Sequence, residues 1–324
     1  MFENIKLEKS LYNITGKTFT EALAELDPDS AYENTSLKGL DAFERQLKRF
    51  DIHVSGAASD KVEKFFISSE SAVLFPEFVR RMIKRGIDEN AVTGSVCAAV
   101  SYTDSVDHRA LNITSTGTNP VAEGGALPVT TVKLASTASR LKKFARKLSC
   151  SYETIRKQRI DSFGVVLREL GASIAREING ECAAALSTGI TATETAATSI
   201  AYSDLAGLWS SMTDHNMDIM LCPPALMAEI MALDEMKLVV SDFMESGRAR
   251  TPYGVTIIKC SQVEDGTVIG LDSSCAAELV LGTDVIVDFD KLISTQCDEI
   301  ACSITAGIYR LTENAVGVLE VKSA

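Results

Sequence analysis

Between Ser151 and Leu186 the large apolar residues Ile160, Phe163, Leu167, Leu170, Ile174 and Ile178 recur at steps of three and four. That spacing places them on one stripe of an α-helix. Arg168, Glu169, Arg176 and Glu177 fall on the other faces, and Ser151 with Glu153 suits a helix N-terminus. The pattern predicts one uninterrupted helix of roughly 50 Å, longer than the usual globular helix. Gly164, Gly171 and Gly180 inside it each weaken it by about 1 kcal/mol relative to alanine. They also let a neighbouring element come close, so tertiary packing must hold this helix together.

Other segments alternate with it. Phe19 to Leu26 and Leu37 to Phe50 read as short helices in a polar first segment, too poor in apolar residues for a good core of its own. Residues 68 to 86 give a helix with Pro76 and Glu77 in its first turn, Val79, Met82 and Ile83 inward, and Gly86 as the stop. A strand, Val96 to Tyr102, follows. Residues 103 to 149 hold little core material: a turn-rich outgoing half, then a strand-like, basic return from Thr130. A stretch of that kind reads as a two-stranded projection with its tip near Thr116 to Gly125, and a lone hairpin is marginal in water without a partner surface.

Beyond a small-residue connector at 187 to 202, the order is a helix at 203 to 212 with Trp209 inward and a strand at Asp218 to Cys222. A helix opened by Pro223-Pro224 and strands at 253 to 260, 267 to 271 and 276 to 289 complete this αβ block. At the end Ile300, Cys302, Ile304, Ala306 and Ile308 alternate with polar positions, and Val316 to Val321 returns after a turn. These two runs read as an antiparallel pair with one buried face.

With 324 residues, 46% hydrophobic and 23% charged, the chain is of the soluble globular class with room for one large domain or two to three smaller lobes. No apolar run reaches the length of a membrane span, and the start lacks the features of a signal peptide, so a cytoplasmic protein without a membrane partner is expected. The eight cysteines form no CxxC pair and read as small hydrophobes in a reducing compartment. The net charge of −12 opposes generic binding to nucleic acid.

The order of parts resembles the major capsid proteins of tailed bacteriophages, whose Hong Kong 97-like fold is shared with encapsulins. The residues that carry the resemblance are Leu74-Phe75-Pro76-Glu77, Glu123-Gly124-Gly125-Ala126-Leu127-Pro128, the strand-to-helix passage Lys143 to Ile155, and Pro252-Tyr253-Gly254-Val255. It implies an α+β phage capsid fold with a long spine helix, a peripheral β-sheet, an axial αβ domain, an extended β-hairpin loop and an N-terminal arm. On this chain the arm would be 1-66, the first part of the peripheral domain 67-101 and the extended loop 102-149. The spine helix with more of the peripheral domain would be 150-200, the axial domain 201-295 and the last peripheral strands 296-324.

The resemblance implies a protein whose partner is itself, assembling through hexamers and pentamers into an icosahedral shell around double-stranded DNA. That shell would be the virion capsid, assembled in the host bacterial cytoplasm. Scaffolding, portal and decoration proteins are further partners it allows. An encapsulin-like nanocompartment around a cargo enzyme is the alternative, which the length of the first segment disfavours. A cytosolic αβ enzyme is a remote third, supported only by the block 201 to 295.

His53, His108 and His215 are far apart and lack a partner at ligand spacing, so no metal site is expected. Neither a P-loop nor a GxSxG or GxGxxG motif occurs, and no catalytic residue or cofactor is expected. Asp288, Asp290, Asp298 and Glu299 read as a solvated acidic face. The pointed feature is basic: Arg140, Lys142, Lys143, Arg146, Lys147, Arg156, Lys157 and Arg159 fall within twenty positions, with Glu153 the only acid among them. In an acidic protein such segregation suits contact with negative charge, first an acidic patch of a neighbouring subunit and second packaged DNA.

Overall fold

A computed structural model describes residues 2–14, 16–116, 120–136, 138–239, 244 and 248–322. The chain divides into two compact units. The first comprises Met1–Glu89, Ala145–Ile174 and Val285–Ser303; the second comprises Asn90–Phe144, Ala175–Asp284 and Ile304–Ala324. The architecture is mixed α+β.

In the first unit the polar opening segment lies against the helix that follows it: Tyr12 donates to the Val73 carbonyl at 2.8 Å and Thr20 to Glu77 at 2.6 Å. Its helices Phe19–Leu26 and Ala42–Arg49 each begin with a capping box, Thr18 with Glu21 and Asp41 with Glu44. They bury Leu11, Phe19, Leu23, Phe43 and Leu47. Part of that buried interior is ionic, which the spacing of apolar residues does not reveal. Arg45 is fully buried, donating from Nε to Asp27 Oδ2 at 2.6 Å and from Nη2 to the Asp27 carbonyl at 2.6 Å. Its guanidinium also lies 4.3 Å from the centre of the Tyr32 ring.

The long helix is interrupted where a single run was expected. Tyr152–Lys157 forms a short helix capped by Ser151, Gln158 is extended, and the main helix is Ile160–Ser187. The physical reason is a competing backbone pairing. The Val62 amide donates to the Gln158 carbonyl at 2.9 Å and the Ile160 amide to the Asp60 carbonyl at 2.8 Å. Of the inward stripe Ile160, Phe163, Leu167, Ile174 and Ile178 are buried, whereas Leu170, expected with them, is only half-buried.

Gly86 does not stop its helix, which runs from Leu74 to Asn90. A Cβ on Gly86 would stand 2.1 Å from the Arg168 carbonyl oxygen, so this glycine marks a close crossing with the long helix. Glu77, expected only as a first-turn carboxylate, is buried between the side chains of Arg80, Arg81 and Thr20, at 2.9, 2.8 and 2.6 Å.

The second unit is built on a six-stranded sheet in the order Thr193–Glu194, Val316–Glu320, Thr267–Leu271, Ile219–Cys222, Thr256–Lys259, Ala249–Arg250. Ile219–Cys222 and Thr267–Leu271 are buried at every position, as strands covered on both faces must be. The helices Tyr202–Ser211 and Pro224–Ala232 contribute Leu205, Leu208, Leu226 and Ile230 to its core. Trp209, expected inward, is 39% exposed and its ring centre lies 5.4 Å from that of Tyr253.

A four-stranded sheet has the order Cys97–Tyr102, Ala277–Leu292, Cys297–Arg310, Lys142–Ser151. The alternation from Ile300 to Ile308 holds, with all five apolar positions buried. The expected terminal pair does not form. Cys297–Arg310 lies between two other long strands, while Val316–Glu320 pairs with Thr267–Leu271 and Thr193–Glu194. Each run is buried strongly enough to need neighbours along both edges, which a simple hairpin cannot supply.

Candidate functional site

Leu111–Thr116 and Val129–Leu134 pair antiparallel from Leu111↔Leu134 to Thr116↔Val129, and no third strand joins them among the described residues. The pairing continues toward the base of the ribbon through Asp107–His108 with Ser139–Arg140. Near the far end Gly124 takes a positive φ of 76° and the Gly125 amide donates to the Ala122 carbonyl at 2.8 Å. Gly117, Thr118 and Asn119, part of the expected tip, lie outside the described residues. A two-stranded ribbon leaves both faces in solvent, and one face here presents Val132 and Leu134, 57% and 62% exposed, while Leu127, just before the return strand, is 77% exposed. Exposed apolar surface on an isolated ribbon suits a partner surface.

All eight basic residues of the predicted cluster are exposed. Arg140 sits on the short strand Ser139–Arg140, Lys142, Lys143, Arg146 and Lys147 on the strand Lys142–Ser151, Arg156 and Lys157 on the short helix, and Arg159 at the break after it. Four of them already meet acids of their own chain. Lys142 Nζ is 2.7 Å from Glu181, Lys147 Nζ 2.8 Å from Glu299, Lys157 Nζ 3.6 Å from Glu153 and Arg159 Nε 3.3 Å from Asp161. Arg140, Lys143 and Arg156 make no ion pair among the described residues, so the charge available to a partner is smaller than the sequence count.

In the first unit an open groove of about 750 Å³ is lined by Phe66, Phe75 and Phe289 together with Arg156, Lys291 and Asp298. The run Asp288 to Glu299 is therefore not a uniform acidic face: Asp290 and Asp298 share the groove wall with cations and aromatic rings.

One cluster escaped the sequence reading. The register Leu271↔Ile219 brings the residues before Ile219 beside those after Leu271, and so places His215 next to Asp272 and Cys275. His215 Nδ1 lies 3.4 Å from Cys275 Sγ and 3.9 Å from Asp272 Oδ2. Burial would raise the Asp272 carboxyl, but hydrogen bonds from Ser274 and the Asn216 amide outweigh it and hold the group below the usual carboxylate range. Burial pushes the Cys275 thiol up, with the Asp272 charge adding to it. Long-range strand register has no local signal, which is why spacing alone did not find this group.

Residues 131–292, half of the chain, match the family described as phage capsid protein. The chain belongs to that family. The matched region contains all eight basic residues, most of the return strand of the ribbon and the long helix. This phage capsid protein is thus a structural shell protein and not an enzyme. Its fold agrees. It is similar to a virus-like particle from Pyrococcus furiosus, with a TM-score of 0.55 at 14% identity over 76% of this chain and 99% of that one. It is also similar to the capsid of an empty GTA particle, with a TM-score of 0.52 at 12% identity over 72% of this chain and 90% of that one. For Mycobacterium phage Adephagia the TM-score is 0.50 at 10% identity, over 72% of this chain and 91% of that one. No curated protein matches the sequence. Among the described residues no helix is long and apolar enough to cross a membrane.

Proposed function

We propose that this phage capsid protein is a major capsid subunit that assembles with its own copies, through hexamers and pentamers, into a closed icosahedral shell around double-stranded DNA. The observation that carries the reading is the ribbon 111–134, which no third strand joins among the described residues and whose leucines and valines are exposed to solvent. A reaching element of this kind suits a heterologous contact, in which one surface meets a different surface of the next copy and rings close. Many such contacts, each modest, become strong through number. In this reading the ribbon is the extended loop, residues 1–66 the arm and residues 201–295 the part gathered at the symmetry axes.

A second reading has its own support: the likeness to the Pyrococcus furiosus virus-like particle. In this second reading the chain forms a shell of the same build that encloses protein cargo and no genome. Negative-stain electron microscopy with sedimentation of the purified protein tests both. Closed shells or five- and sixfold rings are expected, and nuclease-resistant nucleic acid or copurifying protein inside separates genome from cargo. A chain that stays monomeric at every concentration, expressed alone and together with the proteins encoded beside it, overturns both.

A further inference from the structure

We propose that His215, Asp272 and Cys275 bind one divalent transition-metal ion, with Zn²⁺ as the ion whose chemistry fits the set. The three donors, an imidazole nitrogen, a carboxylate oxygen and a thiol sulfur, lie within 4.8 Å of one another. A tetrahedral zinc ion with ordinary bond lengths holds sulfur and nitrogen ligands about 3.6 Å apart. The observed separation of Cys275 Sγ from His215 Nδ1 is 3.4 Å, so this edge of the tetrahedron is already in place. The Asp272 oxygen, 3.9 Å from the same nitrogen, needs only a small side-chain adjustment.

The donor set discriminates between ions. Mg²⁺ and Ca²⁺ take oxygen ligands almost exclusively, whereas a mixed sulfur, nitrogen and oxygen set suits zinc and its neighbours. Three protein ligands leave the fourth position to water. The side chains of His215 and Asp272 are 23% and 13% exposed, which leaves an ion a way in.

The ligands are also held from behind, as metal ligands are by their surroundings. Asp272 accepts from the Asn216 amide at 3.0 Å and from the Ser274 amide at 3.0 Å. Asp218 accepts from the Ser273 amide at 2.8 Å, and its own amide donates to the Leu271 carbonyl at 3.1 Å. The two segments that carry the ligands are thus fixed to each other before any ion arrives. On binding, a metal–sulfur bond forms and the thiol proton passes to water. The ion would clip the segment before Ile219–Cys222 to the segment after Thr267–Leu271.

The test is a Co²⁺ titration of the full chain after chelator treatment and dialysis. One equivalent should produce a near-ultraviolet thiolate-to-cobalt band and visible tetrahedral bands, both abolished by adding Zn²⁺. Cys275→Ser should remove the near-ultraviolet band, and His215→Gln should weaken binding at least tenfold. Cys150→Ser, a control at a separate cysteine, should leave the spectrum unchanged. Because a variant could misfold, circular dichroism accompanies each one, and the unaltered chain is also melted with and without Zn²⁺. A rise in Tm with saturating Zn²⁺ is expected. The proposal is overturned by the absence of a thiolate band in the native chain, by a band that persists in both variants, or by an unchanged Tm.

Discussion

Gly171 faces Gly86 across the crossing of their helices, and the Gly86 Cα lies 3.1 Å from where a Cβ on Gly171 would stand. That Cβ would also come within 2.1 Å of the Ile83 carbonyl oxygen, a backbone atom that cannot swing aside. Overpacking of this kind usually costs about 1–3 kcal/mol and at times more. Gly171→Ala and Gly86→Ala should each lower Tm by several degrees. At Gly164 the nearest atom to a new Cβ is Met82 Sδ at 3.5 Å, an ordinary contact. Gly164→Ala should be neutral or gain up to about 1 kcal/mol from helix propensity. Thermal melts of the three variants check this; equal effects at all three positions would sink the crossing argument.

The Arg45–Asp27 pair predicts an asymmetry. Arg45→Met removes the guanidinium but leaves Asp27, itself buried, without its cation. Breaking a buried pair from one side costs about 3–5 kcal/mol, whereas replacing both partners by apolar residues is often near neutral. Arg45→Met should therefore destabilise strongly in urea unfolding, and Arg45→Met with Asp27→Leu should recover part of the loss. A double variant worse than the sum of the two singles contradicts this account.

Glu77 sets an acid limit. Burial raises its pKa, but hydrogen bonds and charge from Arg80, with Thr20 and Arg81, outweigh burial and hold it below its ordinary 4.5. A folded-state pKa below the unfolded one stabilises the protein fully above the unfolded value, and the benefit is lost as pH falls through the folded value. Stability should thus decline as pH drops below about 4.5. Glu77→Gln should be less stable near neutral pH and should show a shallower decline in that acid range. Parallel pH profiles of unfolding for the two proteins would show that Glu77 is not responsible.

Much of this was legible in the sequence because it was local. The stripe Ile160 to Ile178, the Ser151 cap and the alternation Ile300 to Ile308 follow from periods of 3.6 and 2, which neighbouring residues fix. What stayed hidden depends on pairings between distant segments. The helix breaks at Gln158 because Val62 and Asp60 take its backbone partners, and Val316–Glu320 leaves Cys297–Arg310 for Thr267–Leu271. Gly86 read as a stop because a glycine after a basic turn looks like one, yet what it serves is contact with Arg168. Of the site, the ribbon 111–134 was visible in the lack of core material there, although Lys142–Ser151, expected as part of the same projection, joins the four-stranded sheet instead, and the basic cluster was visible in the count of charges. How many of those charges were already met by Glu181, Glu299, Glu153 and Asp161 was not visible.

That difference sharpens the test of the basic cluster. If the cluster docks on an acidic patch of the next copy, the cations free to do so are Arg140, Lys143 and Arg156. Reversing these three to glutamate should block shell formation while leaving the circular dichroism and Tm of the unassembled chain unchanged, since none has an own-chain ion pair to lose among the described residues. Reversing Lys142 and Lys147 should instead lower stability slightly, by at most about 1 kcal/mol per exposed pair, because each gives up a carboxylate of its own chain. Assembly that rests on exposed charge should also weaken with salt, as the screening length falls from about 10 Å at 0.1 M to about 3 Å at 1 M. Should the triple variant form normal shells that hold less nucleic acid, the cluster faces the contents. Normal shells with normal contents, at low and high salt alike, would remove the cluster from both roles and leave the apolar ribbon as the contact that directs assembly.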